Sequence, residues 1–322
     1  MASDHKTKAA PMGSPYERWE YPARDANLEN LINNWEHNGS KLIIFLGAGA
    51  SIGGKARDGR PFPKAYELRN ELWSRFMLKP HEREAFDFAD LGLMTLEGAS
   101  AIVTARVNRR ALEEFLAERF TAQKPLWPHA VLPFLAPRAI LTTNYDDLIE
   151  QGWNASGVAR RCATVWDTQA ANPSYMPLYK PHGTVEQPHA EIEAGGLVIS
   201  QFDYFRIIAR RQRMLDSFMS DFNQSCVLFI GYSFHDMDIS AHLHRVRRER
   251  RGPKWYAVFP RDDDDVRRMY EQEYGILQIN RTFHDFMADL DAEVNFIPRD
   301  WKRDRVARLV KAGKIAGPAP AI

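Results

Sequence analysis

Four short segments hold residues whose types and order could do chemistry. In the first, the apolar run Leu42 to Leu46 gives way at once to GAGASIGG at positions 47–54. Glycine has no Cβ, so backbone N–H groups in such a loop can approach a phosphate closely, and a following helix start adds its dipole. The dinucleotide fingerprint asks for glycine at its sixth position, where this chain has Ile52, with Gly53 one later. A plain tight turn explains the same glycines equally well. The second segment, TTNYDD from Thr142 to Asp147, follows an apolar run at the strand end where open parallel sheets place their ligands. Asn144 or Asp146 also suits the cap of a helix continued by Leu148 and Ile149. In the third, KPHGT, His182 sits between a strand and Gly183. A histidine there is a general-base candidate, although lone histidines are more often structural. The fourth, FIGYSFHDMDI, is an apolar strand running into the turn Gly231 to Ser233 and an acid-rich helix start, which a strand-to-helix turn capped by Asp236 also accounts for.

Such loops work together only if one sheet holds them side by side. The 322 residues amount to two domains at about 150 residues each, or one large α/β domain with an insertion. Leu28, Leu31, Ile32 and Trp35 recur at helical spacing, with Asp25 as a cap and Gly39 as a stop. The runs KLIIFL, AILTT, PLYKPHG, GLVIS, SCVLFIGYS, KWYAVFP and GILQIN read as short strands, several separated by helical stretches. That alternation predicts an α/β fold, a doubly wound, mostly parallel Rossmann-like sheet. Residues from about 64 to 135 carry helical patterns and almost no strand signal, and are expected to form an inserted helical module. Further helices are expected over Asp236 to Arg251, Asp263 to Tyr274, and Thr282 to about Asp291. The domain itself is expected over 21–298, between a disordered N-terminus at 1–20 and a basic, frayed C-terminal tail at 299–322.

Composition excludes several classes. Lys and Arg number 43 against 42 Asp and Glu, a formal +1, so the global field attracts neither nucleic acid nor an anionic membrane. No apolar run approaches the roughly 18 residues of a membrane span. The opening MASDHKTKAAPMGSPYE lacks the apolar core of a secretory signal, so a cytoplasmic location is expected. Cys162 and Cys226 are the only cysteines, which excludes a disulfide framework or a four-thiolate site. His242 and His244 with Asp236 and Asp238 invite a metal reading, but i and i+2 positions on a helix point apart, and no metal site is expected. The arginines at 245, 247, 248, 250 and 251 fall in the last turns of a helix, where cations suit the dipole, and read as a solvated or subunit-contacting face rather than a nucleic-acid surface.

In this order the four segments resemble the sirtuin superfamily, whose pattern is a GAG-x-S loop, an asparagine in a Q-N-x-D type motif, an H-G catalytic pair and a late G-x-S loop. The resemblance runs over roughly residues 40 to 290. It implies that Gly47, Ala48, Gly49 and Ser51 hold the phosphates of NAD, and that Gly231 and Ser233 of the late loop lie against the same molecule. It further implies that Asn144 positions the nicotinamide-side ribose and an attacking water, that His182 is the base, and that Asp146 supports the nicotinamide pocket. Protein-deacylating sirtuins hold a zinc ion with four cysteines between the H-G pair and the late loop. Only Cys226 lies in that interval here, so no zinc is expected. TTNYDD in place of T-Q-N-I-D, and GYSFHDMDI in place of G-T-S-L, look like the SIR2-like branch of bacterial antiphage defence, which hydrolyses NAD.

That branch implies an NAD glycohydrolase, releasing nicotinamide and ADP-ribose as a regulated toxic effector. A zinc-free protein deacylase and a non-catalytic module sensing NAD or ADP-ribose are the alternatives. Since an unregulated NAD hydrolase would harm its own cell, a homo-oligomer is expected. A partner subunit is expected too, such as a nucleic-acid-handling ATPase or another sensor, with no membrane and no direct nucleic-acid contact.

Overall fold

Leu42–Leu46 is buried at every position, which only a central strand covered on both faces can satisfy. The structure, a computed structural model, describes residues 25–35, 42–165, 174–207, 222, 224–234, 237–248, 253–260 and 263–316. Its seven strands are β1 (Leu42–Leu46), β2 (Ala139–Thr142), β3 (Arg161–Val165), β4 (Tyr175–Tyr179), β5 (Cys226–Ile230), β6 (Trp255–Val258) and β7 (Ile276–Ile279). They form one sheet in the order β3-β4-β2-β1-β5-β6-β7, and every pairing is parallel. The chain winds outward from β1 in both directions, so the point where strand order reverses lies between β1 and β5, where open α/β sheets leave a crevice.

Alternate side chains of β1 and β5 serve opposite faces. Leu42, Ile44, Leu46, Cys226, Leu228 and Ile230 join one core, packed by the helices α1 (Ala26–Asn33), α5 (Trp127–Val131), α6 (Leu148–Ser156) and α9 (Phe283–Val294). Ile43, Phe45, Val227 and Phe229 join the other, covered by α7 (Met237–Arg248) and α8 (Asp264–Tyr274). The expected doubly wound sheet is thus present. Between β1 and β2, the helices α2 (Ala65–Phe76), α3 (Leu96–Arg106) and α4 (Arg109–Phe120) build a third core through Leu68, Leu72, Val103, Leu112 and Leu116.

Three expectations need correction. GLVIS is not a strand. Leu197 and Ile199 are buried against α2 and α4, so the apolar run is satisfied beneath that helical layer instead of within the sheet. A strand not anticipated, β3, lies at the sheet edge, half-exposed and without an apolar run. Residues from 299 onward are not frayed as far as they are described. Trp301 is buried and donates to the Ser156 carbonyl at 3.1 Å, Ala307–Lys311 (α10) is helical, and Ile315 is 1% exposed in the first core. Residues 1–20, Gly39, Asp236, the arginines at 250 and 251, and 317–322 fall outside the described residues, as do the side chains of Asp238 and the arginines at 247 and 248.

Candidate functional site

Register levels the carboxyl ends of the central strands. Leu46 pairs with both Thr142 and Ile230, and Leu141 with Tyr179, so the loops opening at Gly47, Thr143, Lys180 and Gly231 leave the sheet in one row. All four segments singled out in the sequence therefore stand on one edge, flanking the reversal of strand order.

The glycines bind loop to loop. The Gly47 N–H donates to the Ile230 carbonyl and the Gly49 N–H to the Gly231 carbonyl, both at 2.9 Å. A Cβ on Gly47 would lie 2.5 Å from the Gly231 oxygen, and one on Gly49 would lie 2.7 Å from the Gly231 Cα. These two N–H groups are thus committed within the protein, in contrast to the expectation that the loop offers them to a phosphate. Ala48 is the exposed residue of the turn.

Ser51, Asn144 and Asp146 meet behind that turn. Ser51 Oγ donates to Asp146 Oδ2 at 2.7 Å, and Asn144 Nδ2 donates to Ser51 Oγ and to the Gly47 carbonyl, both at 2.9 Å. Asn144 plays no part in capping the next helix. Asp146 does so weakly, its Oδ1 accepting from the Leu148 N–H at 3.2 Å, while Asp147, at the cap position itself, makes no side-chain cap bond. Burial pushes the Asp146 carboxyl up to about 6, against the pull of the Lys180 charge and the Ser51 hydrogen bond.

Lys180 was not singled out from the sequence. Its fully buried ammonium donates to the Asp146 carbonyl at 2.5 Å and to Glu150 Oε1 at 2.8 Å. The available signal was a lone charge at the end of an apolar strand, two residues before His182.

His182 is buried, its ring edge-on to Tyr204 at 5.3 Å and 6.4 Å from that of Tyr145. Tyr145, between Asn144 and Asp146, donates its hydroxyl to the Val198 carbonyl at 2.7 Å, and burial raises its phenol well above the ordinary value, so it stays a neutral donor. The Val198 N–H in turn donates to the His182 carbonyl at 3.0 Å. Gly183 follows at φ +83°, where an added Cβ would lie 2.4 Å from the Gly196 oxygen, so the His182 turn and the 196–200 segment lie in contact. That segment is held by one guanidinium. Arg109 bonds Glu113 Oε1 at 2.7 Å, Asp203 Oδ2 at 2.5 Å and the Leu197 carbonyl, and Asp203 accepts the Ile199 and Ser200 N–H groups.

The structure brings Gly47, Ser51, Asn144 and Asp146 into one hydrogen-bonded cluster, with Gly231 locked to the glycine loop and His182 beside Tyr145. Ser233 stands on the same edge but is exposed, and the bonds joining Ser51, Asn144 and Asp146 do not reach it. Among the described residues, no group of three or more His, Cys, Asp or Glu is placed to hold a metal ion. Cys162 and Cys226 stand on β3 and β5, four strand spacings or roughly 19 Å apart. His244 lies 3.4 Å from Glu273, and Arg245 is exposed.

Residues 138–279 match the family model described as the SIR2-like domain. Curated relatives named NAD(+) hydrolase ThsA include one from Acinetobacter baumannii, 24% identical over 267 residues, covering 79% of this chain and 51% of the relative. Another, from Bacillus cereus, is 27% identical over 192 residues, covering 54% of this chain and 38% of the relative. The chain thus spans about half the length of the first of these and less of the second. A solved Sir2 homologue in complex with ADP-ribose aligns over 83% of this chain and 96% of its own, at 13% identity and a TM-score of 0.48.

Proposed function

We propose, from the match of residues 138–279 to the SIR2-like family model, that the chain hydrolyses the N-glycosidic bond of NAD, giving nicotinamide and ADP-ribose. The observation that carries this reading is the row of four loops at the carboxyl edge of the sheet. There Ser51, Asn144 and Asp146 form one bonded cluster, the His182 ring lies 6.4 Å from that of Tyr145, the residue between Asn144 and Asp146, and Gly231 seals the glycine loop. The names of the relatives support it.

Cleavage breaks the bond between the ribose C1′ and the pyridinium nitrogen. Its electron pair leaves with nicotinamide, and positive charge develops on the ribose. A water adds to C1′ and gives up a proton. The protein must therefore orient the ribose and the water, and receive that proton, in a site that excludes competing nucleophiles. In this reading Asn144 orients the ribose and the water through its amide, and the His182 imidazole accepts the proton. Ser51 and Asp146 fix Asn144, while Ala48, Gly49, Gly231 and Ser233 border the phosphates. With the Gly47 and Gly49 N–H groups engaged by the Gly231 loop, which also fills the space a Cβ would take at both, what these two glycines contribute is the close packing of the two loops that shapes the turn.

The setting we propose is bacterial antiphage defence, inside the cell, with the chain in a homo-oligomer and gated by a partner or trigger. The argument is that constant hydrolysis of a shared cofactor would be self-destructive. The test is nicotinamide release from NAD by the purified chain, alone and with candidate partners. Asn144→Ala and His182→Ala are expected to abolish release while retaining a cooperative unfolding transition. Wild-type turnover in a folded Asn144→Ala variant would refute the assignment.

A further inference from the structure

Behind the cluster a single buried cation lies between two carboxyl-bearing residues. An ammonium with three donors persists in an apolar interior only where acceptors or anions surround it. For Lys180 these include the Asp146 carbonyl and Glu150 Oε1, and the remaining Glu150 oxygen has no hydrogen-bond partner. On the other side of Asp146, the chain of bonds runs from its Oδ2 to Ser51 Oγ and on to Asn144 Nδ2.

A serine hydroxyl carries one proton, and that sets the direction of the chain. With Asp146 ionised and acceptor-only, the Ser51 proton points to Asp146, and the lone pairs of Ser51 are open to the Asn144 amide. With Asp146 protonated on Oδ2, its own O–H takes one of the two Ser51 lone pairs, so the Ser51 proton must turn away from Asp146 and share the two remaining positions on Oγ with the Asn144 amide. The charge on Asp146 therefore decides whether the Ser51 proton is held away from the Asn144 amide or competes with it for a place on Oγ, while the Gly47 carbonyl holds the amide in either case.

We propose that Lys180 is a positioning residue for NAD cleavage, its buried ammonium keeping Asp146 a carboxylate and thereby holding the Ser51 proton away from the Asn144 amide. This rests on the NAD-cleaving reading of the site. The charged groups around Asp146 act in both directions. Glu150, from the following helix, opposes ionisation, and Lys180, at the end of β4, favours it more strongly. Asp147 is turned away, accepting from the Ala122 N–H and Gln151. Glu186 and Cys162 feel the same two charges. Burial is the largest influence on each, raising both, and the Lys180 charge opposes it.

Removing Lys180 alone would strand two buried carboxyls, so the test variant is Lys180→Met combined with Glu150→Gln, which takes out the ion pair together. In the pH–rate profile of NAD cleavage, its acid limb is expected to move alkaline by about 1 unit, with kcat down roughly threefold at pH 6.5, approaching tenfold at pH 5, and largely recovered at pH 8.5. KM is expected to stay within about twofold. A profile that overlays that of the wild type, or a loss of equal size at every pH, overturns the proposal. The second arm needs no activity. In the full-length wild-type chain, the 13C carboxyl resonance of Asp146, identified by its loss in Asp146→Asn, is titrated alongside the Asn144 side-chain amide protons. They are expected to share one midpoint. Asn144 signals indifferent to that midpoint overturn the proposal even if the double variant does not fold. Absence of nicotinamide release from the wild type would instead overturn the NAD reading, leaving this second arm to decide whether the Asp146 charge governs Asn144.

Discussion

Replacing Gly231 with alanine adds one methyl group at the point where two site loops touch. Gly231 has φ +62°, and its added Cβ would lie 2.3 Å from the Ala50 nitrogen and 2.4 Å from the Gly49 carbonyl carbon. The left-handed backbone costs an alanine about 1–2 kcal/mol. The clash is with main chain, which cannot rotate away, and overpacking of that kind costs roughly 1–3 kcal/mol more. Gly59 provides the control, since its φ is +85° and nothing lies within 4 Å of an added Cβ. Gly59→Ala should therefore show the backbone cost alone, and the difference between the two variants isolates the loop contact. In parallel urea unfolding, Gly231→Ala is expected to lose about 1–3 kcal/mol more than Gly59→Ala. If the loops part to relieve the clash, the Gly49 to Gly231 hydrogen bond goes with them, and KM for NAD rises in Gly231→Ala but not in Gly59→Ala. Equal stabilities within about 0.5 kcal/mol, together with an unchanged KM, would refute the interlocked-loop argument.

Asp146→Asn should gain stability relative to wild type as pH rises. The folded value of about 6 lies above the ordinary 3.8, so the contribution of Asp146 is fully present below 3.8 and is lost as pH rises through 6, a span of roughly 3 kcal/mol by linkage. Urea midpoints at pH 4 and pH 7 measure it, and a gap that does not widen in favour of the variant contradicts it. His129 and His284 move the other way. Burial depresses them to about 3 and about 4 from 6.5, so their contribution is present above 6.5 and is lost as pH falls toward those values. Thermal unfolding is expected to fall off less steeply between pH 6.5 and 4 in His129→Leu than in wild type. Arg109→Lys should cost about 2–4 kcal/mol and speed hydrogen exchange at Ile199 and Ser200, because an ammonium cannot reproduce the fork to Glu113, Asp203 and Leu197. Unchanged exchange at those two amides would show that the guanidinium does not hold the segment.

The parallel sheet was legible because its central strands must be apolar at every position, and LIIFL, AILT and CVLFI declare that without structural help. The same rule misled at GLVIS. A buried apolar run needs partners for its backbone groups, and a strand is only one way to supply them. Here the Leu197 carbonyl takes a guanidinium from 88 positions away, the Val198 carbonyl takes a phenol from 53 away, and the Ile199 and Ser200 amides find Asp203. Only the Asp203 contact, three and four positions on, is local; the other two cannot be read from local pattern. β3 was hidden for the opposite reason, since an edge strand half-exposed to solvent has no need of an apolar run and shows Arg161 and Thr164 instead.

The site was legible as a set of strand ends, since glycine, asparagine and histidine stand out beside apolar runs, but the sequence did not reveal what those residues touch. A glycine reports that a Cβ is unwelcome without saying whether a ligand or another loop occupies the space, and at Gly47 and Gly49 it is the Gly231 loop. Lys180 gained meaning only once Glu150, 30 positions earlier, was seen to face it. The consequence is mechanical. Gly47 is bonded to Ile230 on one side and to Asn144 on the other, Ser51 to Asp146, Asp146 to Lys180, and His182 through Val198 to Tyr145. No loop of the four can shift without drawing on its neighbour. A methyl group on Gly231, two strands from Asn144 in the sheet, should therefore be felt in how the substrate is held, although it touches neither Asn144 nor His182.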